Sequence, residues 1–169
     1  MVKTLIVLLS LSSTASTLPP DLQAMLPRAD FTVVEFFSSH CPCQRAHDAR
    51  LKELATTFAP NIQFVAVDSE ATATVEDDAR ERAERGYPFP IITDVEGKWA
   101  DALSATYATY ITVLTRQGEV VYKGGVDSNK QHVTDDASFY LRDALDALSR
   151  GQKPSRAEMP VLGCVLRRQ

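Results

Sequence analysis

The sequence predicts an α/β protein: a central mixed sheet flanked by helices on both faces. Extended apolar runs alternate with segments of helical period along the chain. The last two extended runs are joined by a short turn containing glycine, which makes them an antiparallel pair on an otherwise crossover-connected sheet. With 169 residues, 44 % hydrophobic and 24 % charged, the chain fits one domain around a single core. The net charge is -4 and acids and bases are interspersed, with no basic patch carrying aromatics, so nucleic acid is not an expected partner.

Residues 1–16 have the pattern of a signal peptide. Lys3 precedes a short apolar run, Leu5 to Leu11, and the small residues Ser12 to Ser16 follow. That pattern predicts a periplasmic or secreted protein, with no stable membrane span once the segment is removed; without it the chain would be cytoplasmic. Residues 17–30 are a proline-bearing lead-in with room for a helical turn. The main domain spans 31–152. "FTVVEFF" (31–37) is a buried central strand. Ala46, Leu51, Leu54, Ala55 and Phe58 mark a helix from Gln44 to Phe58. "IQFVAVD" (62–68) is a second strand. "TVEDDARERAERG" is a solvated, charged helix with Thr74 as its cap and Gly86 as its stop. "YPFPIITD" contains a third strand, and "GKWADALSATY" a short helix. "ITVLTRQGEVVYKGG" is a hairpin turning at Gln117-Gly118. In "DDASFYLRDALDALSRG" an apolar face of Ala137, Tyr140, Leu141, Ala144, Leu145 and Leu148 predicts a last helix, capped by Asp135 or Asp136 and ended by Gly151. Residues 153–169 form a tail carrying Cys164, apolar enough near its end to pack back on the domain.

Chemistry concentrates in "FFSSHCPCQRAHD". Cys41 follows a buried strand and opens a helix, where free N–H groups and the helix dipole favour an anion, so its thiol is the natural nucleophile. Pro42 suits the first helical turn. Three cysteines are an odd count for structural staples and suit a redox pair with a third partner, or a thiolate metal site. Glu35 is a carboxylate among apolar strand residues; burial would raise its pKa and make it a proton acceptor. Cys164 could return to resolve an intermediate on Cys41. A rival pattern is metal binding. His40, Cys41, Cys43 and His47 lie within eight residues, Cys43 and His47 share a helix face, and with Cys164 they could hold Cu(I) or Zn(II). Asp68 and Glu70 follow the second strand and can flank the site; His132 lies in a loop.

From Phe31 to Arg150 the chain resembles the thioredoxin superfamily, and within it the redoxin or peroxiredoxin-like branch. "VVEFFSSHC" is similar to the strand leading into the thioredoxin active site, with Glu35 where that family keeps a buried acid six residues before the nucleophile. "ITVLTRQGEVVYKGG" resembles its terminal strand-turn-strand, and the late "LGCVLRR" is similar to a late Gly-Cys of the peroxiredoxin-like branch. The resemblance implies a thioredoxin-like fold and a thiol-disulfide oxidoreductase, with peroxide reduction as a further activity. Cys41 attacks, Cys43 resolves by forming a short-loop disulfide, with Cys164 as the alternative resolver, and Glu35 manages the proton. Protein thiols and disulfides or a hydroperoxide are the substrates, an electron-donating thiol is the partner, and no organic cofactor is needed. The chain also departs from the family. Gln44 stands where the second cysteine of Cys-x-x-Cys would be, Tyr110 where a cis-proline faces the site, Val34 where peroxiredoxins have proline, and Ser38 where they have threonine.

Overall fold

The computed structural model describes residues 18–168. The signal segment expected at residues 1–16, and Thr17 of the lead-in, therefore fall outside the described residues. Pro20–Met25 form helix α1, followed by a 3-10 turn at Leu26–Arg28.

Strand β1, Phe31–Phe37, is buried except at Phe31 and is the middle strand of the sheet among the described residues, in the order β3 (Ile91–Thr93), β2 (Ile62–Asp68), β1, β4 (Ile111–Thr115), β5 (Val120–Gly124). Strand β2, Ile62–Asp68, runs parallel to it, with Phe31 opposite Ile62 and Phe37 opposite Asp68. Strand β3, Ile91–Thr93, extends the sheet in parallel beyond β2. On the other side β4, Ile111–Thr115, is antiparallel to β1, and β5, Val120–Gly124, is antiparallel to β4. The β4–β5 hairpin turns where expected: Gly118 has φ 84°, a left-handed conformation that costs glycine nothing, and Thr115 N–H donates to Glu119 O across the turn (2.9 Å).

The pleat of β1 sends its side chains to two cores. Val33 and Phe37 meet Leu51 and Leu54 of α2 (Pro42–Phe58) and Leu141, Leu145 and Leu148 of α5 (Tyr140–Ser149). Val34 and Phe36 meet Leu22 of α1 and Trp99 and Ala100 of α4 (Lys98–Ala102), together with Cys41, Cys43 and Leu166. Helices thus cover both faces, and the α/β class with a mixed sheet holds.

Helix α3, Val75–Arg85, begins and ends as the sequence indicates. The Thr74 side chain accepts from Asp77 N–H at 3.1 Å, and Gly86 closes the helix at φ 64°. Thr74→Ala is expected to lower stability by about 1 kcal/mol, measured as a shift in the urea midpoint at constant slope.

Other expectations are corrected. The last helix starts later than Asp135 or Asp136; Phe139 holds the cap position without a side-chain bond, and Ala137 lies in the preceding loop. Strand β3 is only three residues long, because Pro88 and Pro90 lack the N–H groups that a ladder needs. Helix α4 stops at Ala102, and Ser104 (φ 55°) and Thr109 (φ 64°) turn the chain before β4. Helix α3 is less solvated than its charge suggests, since Arg85 at its end is buried. No helix among the described residues is long and apolar enough to cross a membrane.

Candidate active site

The end of β1 and the start of α2 are joined by a tight turn in which Cys41 N–H donates to Ser38 O (3.2 Å). Cys41 is extended (φ -85°, ψ 117°) and holds the N-cap position, and Pro42 opens the helix. The helix starts two residues before Gln44, because proline fixes the φ that a first turn needs and lacks only an N–H that has no partner there. Cys41 is 2 % exposed; the open face beside it is a shallow groove lined by Ser39, His40, Cys41, Pro42, Arg45 and Ala46.

The tail supplies the third thiol. Cys164 Sγ lies 2.7 Å from Cys41 Sγ, and the sulfurs of Cys41, Cys43 and Cys164 all lie within 4.8 Å of one another. The tail reaches this point by backbone pairing. Lys123 N–H donates to Ala157 O, Met159 N–H to Lys123 O and Gly125 N–H to Pro160 O. Further on, Tyr107 and Val165 form an antiparallel bridge, Ala108 N–H donates to Cys164 O (2.8 Å) and Leu166 N–H to Thr106 O (2.9 Å). Ala71 N–H then donates to Arg167 O, and Glu70 Oε2 accepts from Arg167 N–H (3.0 Å). Glu70 therefore holds the tail, and Asp68 Oδ1 accepts from Glu70 N–H.

The three thiols differ electrostatically. For Cys41, burial pushes the pKa up, but the Cys164 thiol and the backbone N–H groups of Gln44, Cys164 and Cys43 outweigh it, and the net shift is downward. Burial, then the charge on Cys41, pushes Cys43 up. Burial and the Cys41 sulfur push Cys164 up to about 12. Cys41 is the one poised as a thiolate.

Behind the thiols lies a buried polar chain. Glu35, 1 % exposed, accepts from Gln44 Nε2; the Gln44 amide also donates to Tyr87 OH (3.1 Å), and Tyr87 OH donates to Asp48 Oδ1 (2.5 Å). Arg85 pairs with Asp48 at 3.3 Å, donates to Ser39 O, and lies over the Phe37 ring. Burial raises Glu35 to about 8, with negative charge on Asp48 and Cys41 adding to the rise. Glu35 Oε2 and Gln44 Oε1 have no hydrogen-bond partner among the described residues. A proton on Glu35 converts Oε2 into a donor, which is what Gln44 Oε1 lacks.

Of the residues singled out in the sequence, the structure gathers Cys41, Cys43 and Cys164, and sets Glu35 behind them. His47 is turned elsewhere: its Nδ1 meets Cys43 O at 2.6 Å and its Nε2 faces Asp127 at 3.9 Å. Burial lowers its pKa, so it sits as a neutral core histidine and not as a fourth ligand to the sulfurs. His40 is exposed on the groove, outside the sulfur cluster. Gln44, Asp48, Tyr87 and Arg85 are additions. For Gln44 and Asp48 a signal existed: they sit at i and i+4 on the face of α2 that also carries Leu51. Tyr87 and Arg85 come from another element and had no such mark.

No protein-family model matches the chain and no curated protein does. Among solved structures it is similar to a hypothetical protein from Sinorhizobium meliloti 1021, with 26 % identity and a TM-score of 0.78 over 86 % of this chain and 84 % of that one. It is similar to an uncharacterized conserved protein from Geobacillus kaustophilus, with 29 % identity and a TM-score of 0.74 over 84 % and 79 %. A thioredoxin-like protein solved in its oxidized form shares the fold at 15 % identity, with a TM-score of 0.58 over 74 % of this chain and 81 % of that one. Five strands in this order, a cysteine pair where β1 gives way to α2, and that neighbour together show a chain of the thioredoxin-like fold.

Proposed function

We propose that the protein is a thiol-disulfide oxidoreductase in which Cys41 is the nucleophile and Cys164 resolves. The observation that carries this reading is the 2.7 Å approach of Cys164 Sγ to a Cys41 thiol whose pKa is lowered at the start of a long helix. The Cys41 thiolate attacks one sulfur of a substrate disulfide, and the other sulfur leaves as a thiolate and takes up a proton. The Cys164 thiolate then attacks Cys41 Sγ, expels the second substrate thiolate and leaves a Cys41–Cys164 bond. Two electrons pass to the substrate, and an electron-donating dithiol restores the pair. The first step also prepares the second: once Cys41 is a mixed disulfide it carries no charge, and that part of the upward push on Cys164 disappears. Glu35, poised near 8, takes up or gives back a proton close to neutral pH. The same arrangement serves a hydroperoxide: Cys41 becomes a sulfenic acid as the alcohol leaves, and Cys164 condenses with it, releasing water. Export, on the strength of the N-terminal pattern, belongs to this reading and would place the thiols where disulfides persist.

The clustering of three sulfurs within 4.8 Å favours one second reading, a soft-metal site for Cu(I) or Zn(II). Cys41, Cys43 and Cys164 would hold the ion, without His47.

Mass spectrometry of the protein after stoichiometric oxidation, run beside insulin-reduction and hydroperoxide-consumption assays, separates the readings. A Cys41–Cys164 bond with turnover of either substrate is the expected result. Three thiols that stay free under oxidant, with one equivalent of Cu(I) taken up and lost in Cys164→Ser, would overturn it in favour of the metal site.

A further inference from the structure

Two thiols compete for Cys41, and something in the fold has to choose between them. Cys43 lies in the first turn of α2 with its sulfur within 4.8 Å of Cys41 Sγ, and a bond between them closes a small ring across the single residue Pro42. Cys164 Sγ stands 2.7 Å from Cys41 Sγ and closes no such ring, provided the tail keeps its register on the Thr106–Ala108 segment. That register depends on a contact with no slack. A Cβ on Gly163 would stand 1.7 Å from Ala108 O and 2.9 Å from Thr109 Oγ1. Gly163 does not have a left-handed φ, so the demand for glycine here is one of space alone. The loop it touches has little freedom to retreat: Thr109 is held at φ 64°, its N–H donates to Phe36 O (2.7 Å) and Phe36 N–H donates to Tyr110 O (2.8 Å), both anchored on β1. Downstream, Leu166 is buried in the core beneath the thiols.

We infer that pairing of the tail with Thr106–Ala108, which admits only glycine at position 163, selects Cys164 over Cys43 as the partner of Cys41. Gly163 is a positioning residue: it touches neither substrate nor sulfur chemistry, and acts by setting where Cys164 sits. The inference rests on the oxidoreductase reading above. The bond concerned forms as Cys164 thiolate attacks Cys41 Sγ and the substrate thiolate leaves. With Cys164 displaced, Cys43 makes the same attack with the same balance.

The test measures the effective concentration of Cys164 towards Cys41 in a glutathione redox buffer, and maps the disulfides of the oxidised protein. In Gly163→Ala the effective concentration is expected to fall about 100-fold or more, the scale on which a displacement of roughly 1 Å acts. The oxidised product should shift to Cys41–Cys43, and Cys41 should be alkylated faster as the tail lifts from it. Leu166→Ala removes a buried anchor without adding bulk, and should move the product in the same direction by a smaller factor; it decides the matter if Gly163→Ala fails to fold by thermal melting. A folded Gly163→Ala that still gives Cys41–Cys164 at wild-type effective concentration overturns the inference, as does an unchanged Leu166→Ala where the first variant is unfolded. A wild-type protein that forms no disulfide at Cys41 at all sinks the oxidoreductase reading instead.

Discussion

Cys41→Ser is expected to abolish thiol exchange, lowering insulin reduction by roughly 1000-fold or more, because a serine hydroxyl is scarcely ionised at neutral pH and has no base to activate it directly. Neither remaining thiol can stand in. Cys164, pushed up to about 12, is ionised to only about one part in 100,000 at pH 7. Replacing Cys41 relieves the part of that shift due to its charge, but burial, the larger cause, stays. Cys43 is raised for the same first reason. The variant should keep its melting temperature to within a few degrees, since serine fills almost the same space. The decisive measurement is turnover with dithiothreitol as reductant, wild type beside variant. Retention of more than a few per cent of the rate would remove Cys41 from the nucleophile's role.

Glu35→Gln should make the protein more stable at alkaline pH and remove a pH dependence that wild type shows. In the unfolded chain this carboxyl ionises near its ordinary value of 4.5; in the folded protein it holds its proton to about 8. Between those values the native state binds more protons, so stability is fully present below 4.5 and is lost as pH rises through 8. At about 1.4 kcal/mol per unit, wild type should lose roughly 4 kcal/mol relative to the variant between pH 5 and 8, or roughly 10 °C in melting temperature. Asp68, also raised by burial, to about 7, adds a loss of the same sign in both proteins, so the difference between the two melting curves is the quantity to follow. Glutamine also fits its neighbour, since an amide at position 35 can donate to Gln44 Oε1 and accept from Gln44 Nε2. Parallel melting curves from pH 5 to 9 would show that Glu35 is ionised when folded. If Glu35 also carries the exchange proton, the variant turns over about 100-fold more slowly.

Much of the fold was legible because its signals are local. "FTVVEFF" and "IQFVAVD" carry β-branched residues in runs that only a doubly covered strand needs, and both are strands over those residues. Thr74 and Gly86 bound α3 through contacts within a few residues of themselves. The errors arise where a distant contact decides. Asp135 and Asp136 are good capping residues, but Val126 O accepts from Leu141 N–H and sets where α5 begins, a decision taken by a distant loop. Around the thiols the strand-to-helix elbow marked Cys41, whereas Gln44 entered only as the residue standing where a second cysteine would be. The path of the tail was hidden, because it depends on main-chain pairing with Lys123–Gly125 and Thr106–Ala108, which no side-chain pattern advertises. In hindsight the glycines were its trace: a Cβ on Gly125 would meet Pro160 O at 2.6 Å, and one on Gly163 would meet Ala108 O. His47 misled for a similar reason, since spacing shows which face a side chain shares but not that a carbonyl and Asp127 wait on its far side.

The separation of Cys164 from Cys41, 123 positions along the chain, also orders events in time. A chain is made from its N-terminus, and early segments begin to fold before late ones exist. Until Cys164 emerges, a nascent chain holds Cys41 and Cys43 without the third thiol. The Cys41–Cys164 pairing therefore has to wait for the tail. Ribosome-bound chains stalled before Cys164 should show a Cys41 that reacts freely with an alkylating reagent and that becomes protected only on release.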